Sequence, residues 1–417
     1  MNISNQNSLS GLLSSEWEEL IIEKKVDFFN NNLERLEKIK IQIKFTQDHQ
    51  IIYYKDGAIL RVEYFHSRKN PDIFNNMEQI QNLSWQGQYN QKKKKDGKWI
   101  AFWDGNILKD VFGYYKNGQK QGLWKYLFKN YRKKDQIFET GEYLNDFRIG
   151  KWNYLYNNEN IGGGLYNFKG EKIGNWIVLD EGFFYFAQVT YHGEYNMKGV
   201  KVGKWDISYC DCGQNKYKII GGGSYGQEQI KIGRWVELLE GFNRDFLITY
   251  NGVYNMKGMK IGRWDICYKQ YDEHEDGNEE AEYELMQILQ NYCGGGSYDQ
   301  GVGDIKIGRW VELLKGFNRD AQVTYNGEYN FKGMKIGRWD IWLDWEGNRQ
   351  IIGGSYRYEE DQIKIGKWVE LDEKFYWNNP VTYNGEYNMK GMKIGTWVTM
   401  DVREGYEYTR KEIKYDS

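Results

Sequence analysis

One pattern recurs along most of this chain: Gly-x-Tyr, a short spacer, and then Gly-x-Trp. The stretch "GEYNMKGMKIGTW" at 385–397 is one of eleven copies, whose tryptophans lie at 99, 124, 152, 176, 205, 235, 264, 310, 339, 368 and 397. From Trp176 onward the tryptophans are 29 or 30 residues apart, except for a step of 46 residues between Trp264 and Trp310. A fixed period of this length indicates one supersecondary unit stacked many times.

The copies are of two alternating kinds, and each predicts a β-hairpin. One kind reads "GGGSY…IGRWVELL" and the other "GEYN…KGMKIGRWDI", so the full unit is about 58 residues. In the second kind, "AQVTYNGEYN" alternates like a strand, "FKGMKIG" resembles a turn, and "RWDIWL" is β-prone again. With 17% aromatic residues and only 2 prolines, the composition favours extended sheet. We therefore predict an all-β, elongated antiparallel meander of about eleven hairpins, on the order of 100 Å long.

The paired Gly and Trp positions predict how such a meander is held together. A large ring needs a flat space beside it, and a glycine on the neighbouring strand supplies that space. Stacked Tyr and Trp rings would then replace a conventional core. Because a single hairpin is marginal in water, neighbouring copies have to support each other. The aromatic residues are accordingly interpreted as structural.

Several segments resemble a known repeat family. "GYYKNGQKQGLWKYLF" (113–128), "YYKDG" (53–57) and "FWDGNILKDVFGYYKNG" (102–118) resemble divergent MORN-like repeats, in which N-G or D-G turns alternate with G-x-W strands. The resemblance covers about residues 50 to 410, although the units are longer than usual and the Y-x-G-x-W core is rearranged. Low Pro and high Asn, Lys, Tyr and Gln are similar to repeat families of protists with AT-rich genomes.

This resemblance carries expectations about role. It implies an elongated antiparallel sheet acting as a scaffold or adaptor for protein partners, often at cytoskeletal or membrane-associated assemblies. It also implies no catalytic residues of its own and no cofactor. Two alternatives stay open: a peripheral module that binds anionic lipid, and an enzyme whose site has no recognisable motif.

The chain divides into three predicted regions. Residues 1–48 are predicted to contain a helix, opened by a capping box of Ser15 with Glu18. Its apolar residues fall at heptad positions: Ile22, Val26, Phe29, Leu33, Leu36 and Ile43. This helix either caps the first edge of the sheet or pairs as a coiled coil. Residues 49–410 form the repeat array, with an insertion at about 269–290, and 411–417 form a tail.

The charge and the cysteine content indicate which partners and which cellular compartment to expect. The net charge is −2 and the pI about 6.2, so no global field attracts nucleic acid. The sequence shows neither a signal-peptide pattern nor an apolar run of membrane-spanning length, and its 4 cysteines are too few for a disulfide framework. A cytoplasmic protein is expected, and association with cytoskeleton or membrane stays open.

Three motifs partly resemble metal or phosphate sites, and none matches closely enough to predict one. Triple glycines at 162–164, 221–223 and 294–296 lack the GK[ST] that a phosphate loop needs. Cys210 and Cys212, with Cys267 one repeat later, lack the spacing typical of zinc ligands. The acidic segment 272–284 matches only part of an EF-hand, so weak binding of a divalent ion there stays an alternative.

The predicted binding site is a basic edge formed by the turns of the "GEYN" copies. Lysines recur there beside Met or Phe, and a row of such turns would contact an acidic protein or lipid surface at several points. The alternative is that these lysines only solvate the turns. The candidate residues are Lys198, Lys201, Lys257, Lys260, Lys332, Lys335, Lys390, Lys393, Met256 and Phe331.

Overall fold

The computed structural model shows an almost entirely antiparallel β protein. It describes residues 19–31, 35–64, 73–211, 216–244, 247–269, 293–314, 317, 322–345, 348–358, 362–372, 375, 380–401 and 409–415. The chain divides into two compact units, residues 1–201 and 202–417. Within the described ranges, helix is confined to one six-residue α-helix and a short 3-10 turn at Gln227–Gln229.

The first unit opens with a four-stranded antiparallel sheet of β1 (Leu20–Asn30), β2 (Arg35–Phe45), β3 (Gln50–Lys55) and β4 (Ala58–Tyr64). The helix predicted before residue 48 is therefore wrong over Leu20–Asn30 and Arg35–Phe45. In β2, the buried Ile41, Ile43 and Phe45 alternate with polar residues, and this period of two overrides the heptad spacing. The predicted capping box, Ser15 with Glu18, lies outside the described residues.

A short helix, α1 (Met77–Asn82), connects this sheet to the repeats. The side chain of Asn76 caps it by accepting a hydrogen bond from the Gln79 backbone N–H at 3.2 Å. Ile80 packs into the core of the four-stranded sheet with Val26, Ile41 and Tyr53. Because β3 and β4 pair with β2, the array of repeats begins after α1 rather than at residue 49.

The remaining strands of the first unit form a continuous antiparallel meander. They are β5 (Leu83–Tyr89), β6 (Lys95–Trp103), β7 (Asn106–Lys116), β8 (Gln119–Leu127), β9 (Ile137–Leu144), β10 (Phe147–Tyr156), β11 (Glu159–Tyr166), β12 (Lys172–Leu179) and β13 (Gln188–Tyr195). Each pairs with the next in sequence. Asp104-Gly105 and Asn117-Gly118, both with positive φ, make the tight turns that such dipeptides favour.

The second unit continues the same hairpin pattern. Its strands are β14 (Lys201–Cys210), β15 (Lys218–Tyr225), β16 (Lys231–Leu238), β17 (Leu247–Tyr254), β18 (Lys260–Lys269), β19 (Cys293–Tyr298), β20 (Lys306–Leu313), β21 (Gln322–Tyr329), β22 (Lys335–Trp345), β23 (Asn348–Tyr356), β24 (Lys364–Leu371), β25 (Val381–Tyr387), β26 (Lys393–Asp401) and β27 (Thr409–Tyr415). Consecutive strands pair antiparallel throughout.

The predicted all-β hairpin repeat is confirmed by these pairings. The described residues contain 23 strands after α1, close to the number expected from eleven hairpins. The predicted C-terminal tail differs, because Lys411 to Tyr415 belong to β27 and pair with β26. Ile413 lies opposite Trp397 in that pairing, so this last strand covers the final tryptophan.

The tryptophan rings pack against glycines of the neighbouring strands, as predicted. Trp339 faces Gly327 on the neighbouring strand, and a Cβ at that glycine would approach the indole to less than 3.0 Å. The same seat recurs at Gly223, Gly252, Gly296, Gly354 and Gly385 of the second unit. There the tryptophans are only 1–4% exposed. Each packs edge-on against the tyrosine of its own motif, with ring centroids 5.0–5.2 Å apart, and against the next tyrosine at 6.3–6.4 Å.

Candidate functional site

The turn between Tyr and Trp in each "GEYN" hairpin is braced by an asparagine. In the turn at 330–334, the Asn330 side-chain oxygen accepts hydrogen bonds from the backbone N–H groups of Lys332 at 2.9 Å and Met334 at 3.0 Å. Asn196, Asn255 and Asn388 make the same pair of bonds. Gly333 adopts φ +77°, which closes the loop without steric cost. The turns are therefore fixed in shape by local hydrogen bonds.

These braced turns present large apolar side chains to solvent. Phe331 is 86% exposed, Met256 78% and Met389 63%, and each is followed by an exposed lysine. The turns of the intervening hairpins carry two more exposed side chains, Val302 at 60% and Tyr358 at 76%. We call this edge of the second unit the tip row: Met256, Lys257, Val302, Phe331, Lys332, Tyr358, Met389 and Lys390.

Hydrogen bonds join two pairs of neighbouring tips in the tip row. The Asp304 carboxylate accepts a hydrogen bond from the Lys260 backbone N–H at 2.8 Å. Further along, Arg357 Nη1 donates to the Met389 carbonyl at 3.1 Å. Since adjacent strands are ~4.8 Å apart, tips of successive hairpins are spaced by about 10 Å.

Sequence reasoning missed some of these residues. Val302 and Tyr358 lie in the other kind of hairpin, where the turn sequences differ and carry no shared signal. In the first unit, Phe168 is 83% exposed beside Lys169 on a turn braced by Asn167. The sequence Tyr-Asn-Phe-Lys-Gly at 166–170 is the same pattern as at 329–333, so that tip was detectable. Met197 and Lys198 occupy the equivalent turn at 196–200 and are also exposed.

The lysines predicted to form one basic edge separate into two sets. Lys198, Lys257, Lys332 and Lys390 are exposed on the turns. Lys260, Lys335 and Lys393 instead begin a strand, and their ammonium groups lie 3.7–3.9 Å from the ring centroids of the tryptophans four residues later. Lys201 lies 5.6 Å from the ring centroid of Tyr191. The structure therefore places only the first set, with Met256 and Phe331, at the turn edge.

The second set belongs to three charged clusters on the tryptophan face of the second unit. In each, one glutamate contacts two lysines and a tyrosine hydroxyl. The Glu312 carboxylate pairs with Lys306 and, at 3.1 Å, with Lys335, and accepts a hydrogen bond from the Tyr329 hydroxyl at 2.8 Å. The clusters are Lys231–Glu237–Lys260, Lys306–Glu312–Lys335 and Lys364–Glu370–Lys393. Sequence reasoning missed these glutamates, although each lies two residues after a Trp.

The clusters set the protonation of their glutamates. Burial acts to raise the pKa of Glu312, but the ammonium groups of Lys335 and Lys306 and the hydrogen bonds from Lys306 and Tyr329 outweigh it and lower that pKa. The pKa values of Glu237 and Glu370 are lowered in the same way. For Lys335, burial lowers the pKa despite the neighbouring carboxylate of Glu312. The glutamates are therefore firmly ionised at neutral pH.

Removing one glutamate charge is expected to destabilise the protein. In Glu312→Gln, Lys306 and Lys335 would face each other half-buried without a counter-charge, so we expect a loss of roughly 1–3 kcal/mol in the free energy of unfolding. Urea denaturation followed by circular dichroism measures this loss. The matched control is Asp340→Asn, which breaks the exposed Arg338–Asp340 pair and should change stability by less than about 0.5 kcal/mol. Equal effects of both substitutions would contradict the assignment.

The lowered glutamate pKa values also predict a pH dependence. A carboxyl group whose pKa is lower in the folded state stabilises the fold above its unfolded pKa, near 4.5, and this contribution disappears as pH falls through the folded value. The thermal midpoint should thus drop by several degrees as pH falls from about 5 to 3. Glu312→Gln should show a shallower drop over the same range. An unchanged slope in that variant would mean that other carboxylates control acid unfolding.

The other motifs form no site within the described chain. The triple glycines lie inside β11, β15 and β19, where Gly223 seats Trp235 and a Cβ at Gly222 would strike the Trp205 carbonyl. Cys210 and Cys267 lie on β14 and β18, four strands apart, and Cys212 lies outside the described residues, as does segment 272–284. Among described residues, no three His, Cys, Asp or Glu side chains are grouped to hold a metal. No helix in those ranges has the length and apolar character to span a bilayer.

Comparisons with known proteins give little beyond this geometry. No protein-family model matches the chain, and no curated protein matches it. Two of the solved structures that match the chain align with most of its length. A crystal structure of BBS1N in complex with ARL6DN, soaked with lead, covers 91% of this chain and 92% of its own at 8% identity and a TM-score of 0.21. The WD40 domain of SCAP from fission yeast covers 96% and 89% at 7% identity and a TM-score of 0.22. Scores this low carry no argument about fold or function.

Proposed function

We propose that this protein is a non-enzymatic repeat scaffold that binds a protein partner along the tip row. The observation that carries the proposal is the exposure of Met256, Phe331 and Met389 on turns that are braced by asparagine side chains. Fixed turns lose little conformational entropy on binding, so apolar side chains on them contribute efficiently to affinity. The D-G and N-G turns of the first unit support the further proposal that the chain is a divergent MORN-type repeat protein.

Repetition turns weak contacts into a usable affinity. Each tip offers one apolar side chain, and three of the five tips add a lysine, so one tip alone binds little. Several tips spaced by about 10 Å engage one partner together, and the later contacts then form at a high effective concentration. The partner that fits is a protein surface with apolar sockets and acidic residues between them.

A second candidate function is binding to an anionic membrane surface. The same alternation of exposed Phe or Met with Lys suits the bilayer interface, where apolar groups enter the headgroup region and lysines contact anionic lipids. Phe331 and Lys332 are adjacent and both exposed, which favours this candidate. It would place the tip row flat on the membrane in a cytoskeletal or membrane-associated assembly.

Site-specific photocrosslinking tests the scaffold proposal. Phe331→p-benzoyl-phenylalanine puts a crosslinker on the tip row while preserving its aromatic character. The matched control puts the same crosslinker at Ile351, which is 55% exposed on strand β23. In cells of origin, we expect a discrete protein adduct from position 331 that is absent at 351 and disappears when Met256→Ser and Met389→Ser are added. Equal adducts at both positions, or none at 331, would contradict the proposal.

Vesicle sedimentation separates the membrane candidate. If lipid is the partner, the protein should sediment with phosphatidylserine vesicles, the bound fraction should fall steeply with salt, and Lys257→Glu with Lys332→Glu should abolish binding. If the partner is a protein, the vesicles should leave the protein in solution while the crosslinked adduct persists. The two readouts therefore assign the tip row to one class of partner.

A further inference from the structure

The three charged clusters hold more positive than negative charge, and this imbalance points to a ligand. Each cluster contains two lysine ammonium groups against one glutamate carboxylate, so each carries a net charge of +1. The glutamates are 15–17% exposed, and the lysines 22–33%. The tryptophan rings under these lysines offset part of the cost of burying the surplus charge, and a bound anion would offset more of it.

Hydrogen-bond capacity shows the same imbalance. The Glu312 carboxylate accepts hydrogen bonds from Lys306, Lys335 and Tyr329. These three bonds occupy most of its acceptor sites. A lysine ammonium has three donors, and Lys306 directs one of them to Glu312. The clusters therefore offer more hydrogen-bond donors than acceptors, and a carboxylate would supply the acceptors.

A pocket of about 280 Å³ lies between the first and second clusters, lined among others by Tyr250, Lys260, Trp264, Tyr298, Lys306 and Glu312. Lys260 comes from the first cluster and Lys306 from the second, so the pocket is open to ammonium groups of both clusters. The tryptophans here are almost fully buried against glycine and lysine, which leaves no ring face for a base to stack on.

We propose that the tryptophan face of the second unit binds an extended acidic protein segment through carboxylates that occupy the three clusters in turn. Glu237, Glu312 and Glu370 lie on β16, β20 and β24, so consecutive clusters are four strands, or about 19 Å, apart. An extended segment advances ~3.3 Å per residue, which matches one Asp or Glu about every six residues. Nucleic acid carries phosphates far more densely, about one per 3.4 Å of each strand.

This site is separate from the tip row, so either proposal can fail without the other. The clusters lie over the tryptophans, whereas the tip-row lysines Lys257, Lys332 and Lys390 lie on the turns. The chain thereby offers a matched control, because the same number of lysines can be neutralised at either place.

Fluorescence anisotropy with a labelled peptide tests the inference on the full chain. The probe carries three glutamates spaced by six residues in a Gly/Ser background, and an isomeric peptide has the three glutamates adjacent. Lys231→Gln, Lys306→Gln and Lys364→Gln leave one lysine per glutamate and so make each cluster neutral. We expect this variant to bind the spaced peptide at least about tenfold more weakly, whereas the tip control Lys257→Gln, Lys332→Gln and Lys390→Gln changes affinity less than about twofold.

The reverse substitution provides a gain-of-function arm. Glu237→Gln, Glu312→Gln and Glu370→Gln raise each cluster to +2. Where near-ultraviolet circular dichroism shows native packing of the tyrosine and tryptophan rings, the variant should bind the spaced peptide several-fold more tightly than wild type. The inference is overturned if the neutral variant binds like wild type, if the tip control loses as much affinity, or if the adjacent isomer binds as well. Tighter binding of an oligo-dT strand than of the spaced peptide would also overturn it, in favour of nucleic acid.

Discussion

Gly327→Val is expected to destabilise the second unit by about 3 kcal/mol, at the upper end of the range for overpacking a core. A Cβ at this position would lie within 3.0 Å of three atoms of the Trp339 indole, and valine adds two more methyl groups. The ring cannot withdraw, because Tyr329 and Tyr356 flank it at 5.2 and 6.3 Å. Urea denaturation followed by circular dichroism should show a lower midpoint.

The control for this prediction is Gly301→Val in the same unit. Gly301 lies on a turn, and a Cβ there would meet only the Asp299 side chain at 3.5 Å, an ordinary contact. We expect a change within about 0.5 kcal/mol. If Gly301→Val were as damaging as Gly327→Val, general loss of glycine flexibility would explain both effects, and the proposed seat for the ring would be unsupported.

Trp339→Ala is expected to cost about 3–5 kcal/mol, as is typical for truncation of a buried tryptophan. The side chain is 1% exposed, its indole N–H donates to the Glu328 carbonyl at 3.3 Å, and Lys335 lies over its ring. Its loss would open a cavity between two tyrosines and remove the aromatic surface under the second charged cluster. The loss should appear in the same denaturation measurement.

Phe331→Ala is the matched control for the tryptophan, since it truncates an aromatic side chain in the same hairpin. Phe331 is 86% exposed, so its removal should change stability by less than about 0.5 kcal/mol while weakening any partner bound at the tip row. A large stability loss from Phe331→Ala would show that the tip packs against the protein and would remove the basis for a binding role.

The packing of tryptophans and tyrosines against glycines was predictable from sequence because these residues recur at fixed spacing. Gly-x-Tyr and Gly-x-Trp put a small and a large residue on the same face of adjacent strands. Gly385 is an example: it lies opposite Trp368 in the strand register, and its Cβ position faces the ring of Trp397. The number of hairpins followed from counting tryptophans. A repeated pattern constrains structure strongly, because each copy has to satisfy the same neighbours.

The N-terminal strands were not predicted, because two periodicities fit the same residues. Val26 and Ile43 satisfy a heptad spacing, yet they also fall on the buried side of an alternating strand pair, opposite Ile39 and Ile22 respectively. A single segment of sequence does not show which strand it pairs with. The local heptad spacing therefore predicted a helix where two paired strands form.

The division of the lysines was only partly predictable. Lys335 precedes Trp339 by four residues, and an even spacing within a strand places both on one face, so its position over the ring was available from sequence. Its partner Glu312 comes from the previous repeat, 23 residues away, and that contact depends on how strands β20 to β22 pair. The charged clusters therefore required the structure.

A double-mutant cycle at one glycine–tryptophan pair tests whether tryptophans packed on glycines hold the hairpins together. Gly327→Ala and Trp339→Leu are each expected to destabilise the protein, but leucine leaves room for the alanine methyl group. The loss in free energy of unfolding of the double variant should therefore be about 1–3 kcal/mol smaller than the sum of the two single losses. Strictly additive losses would show that the glycine and the ring act independently, which would contradict the claim.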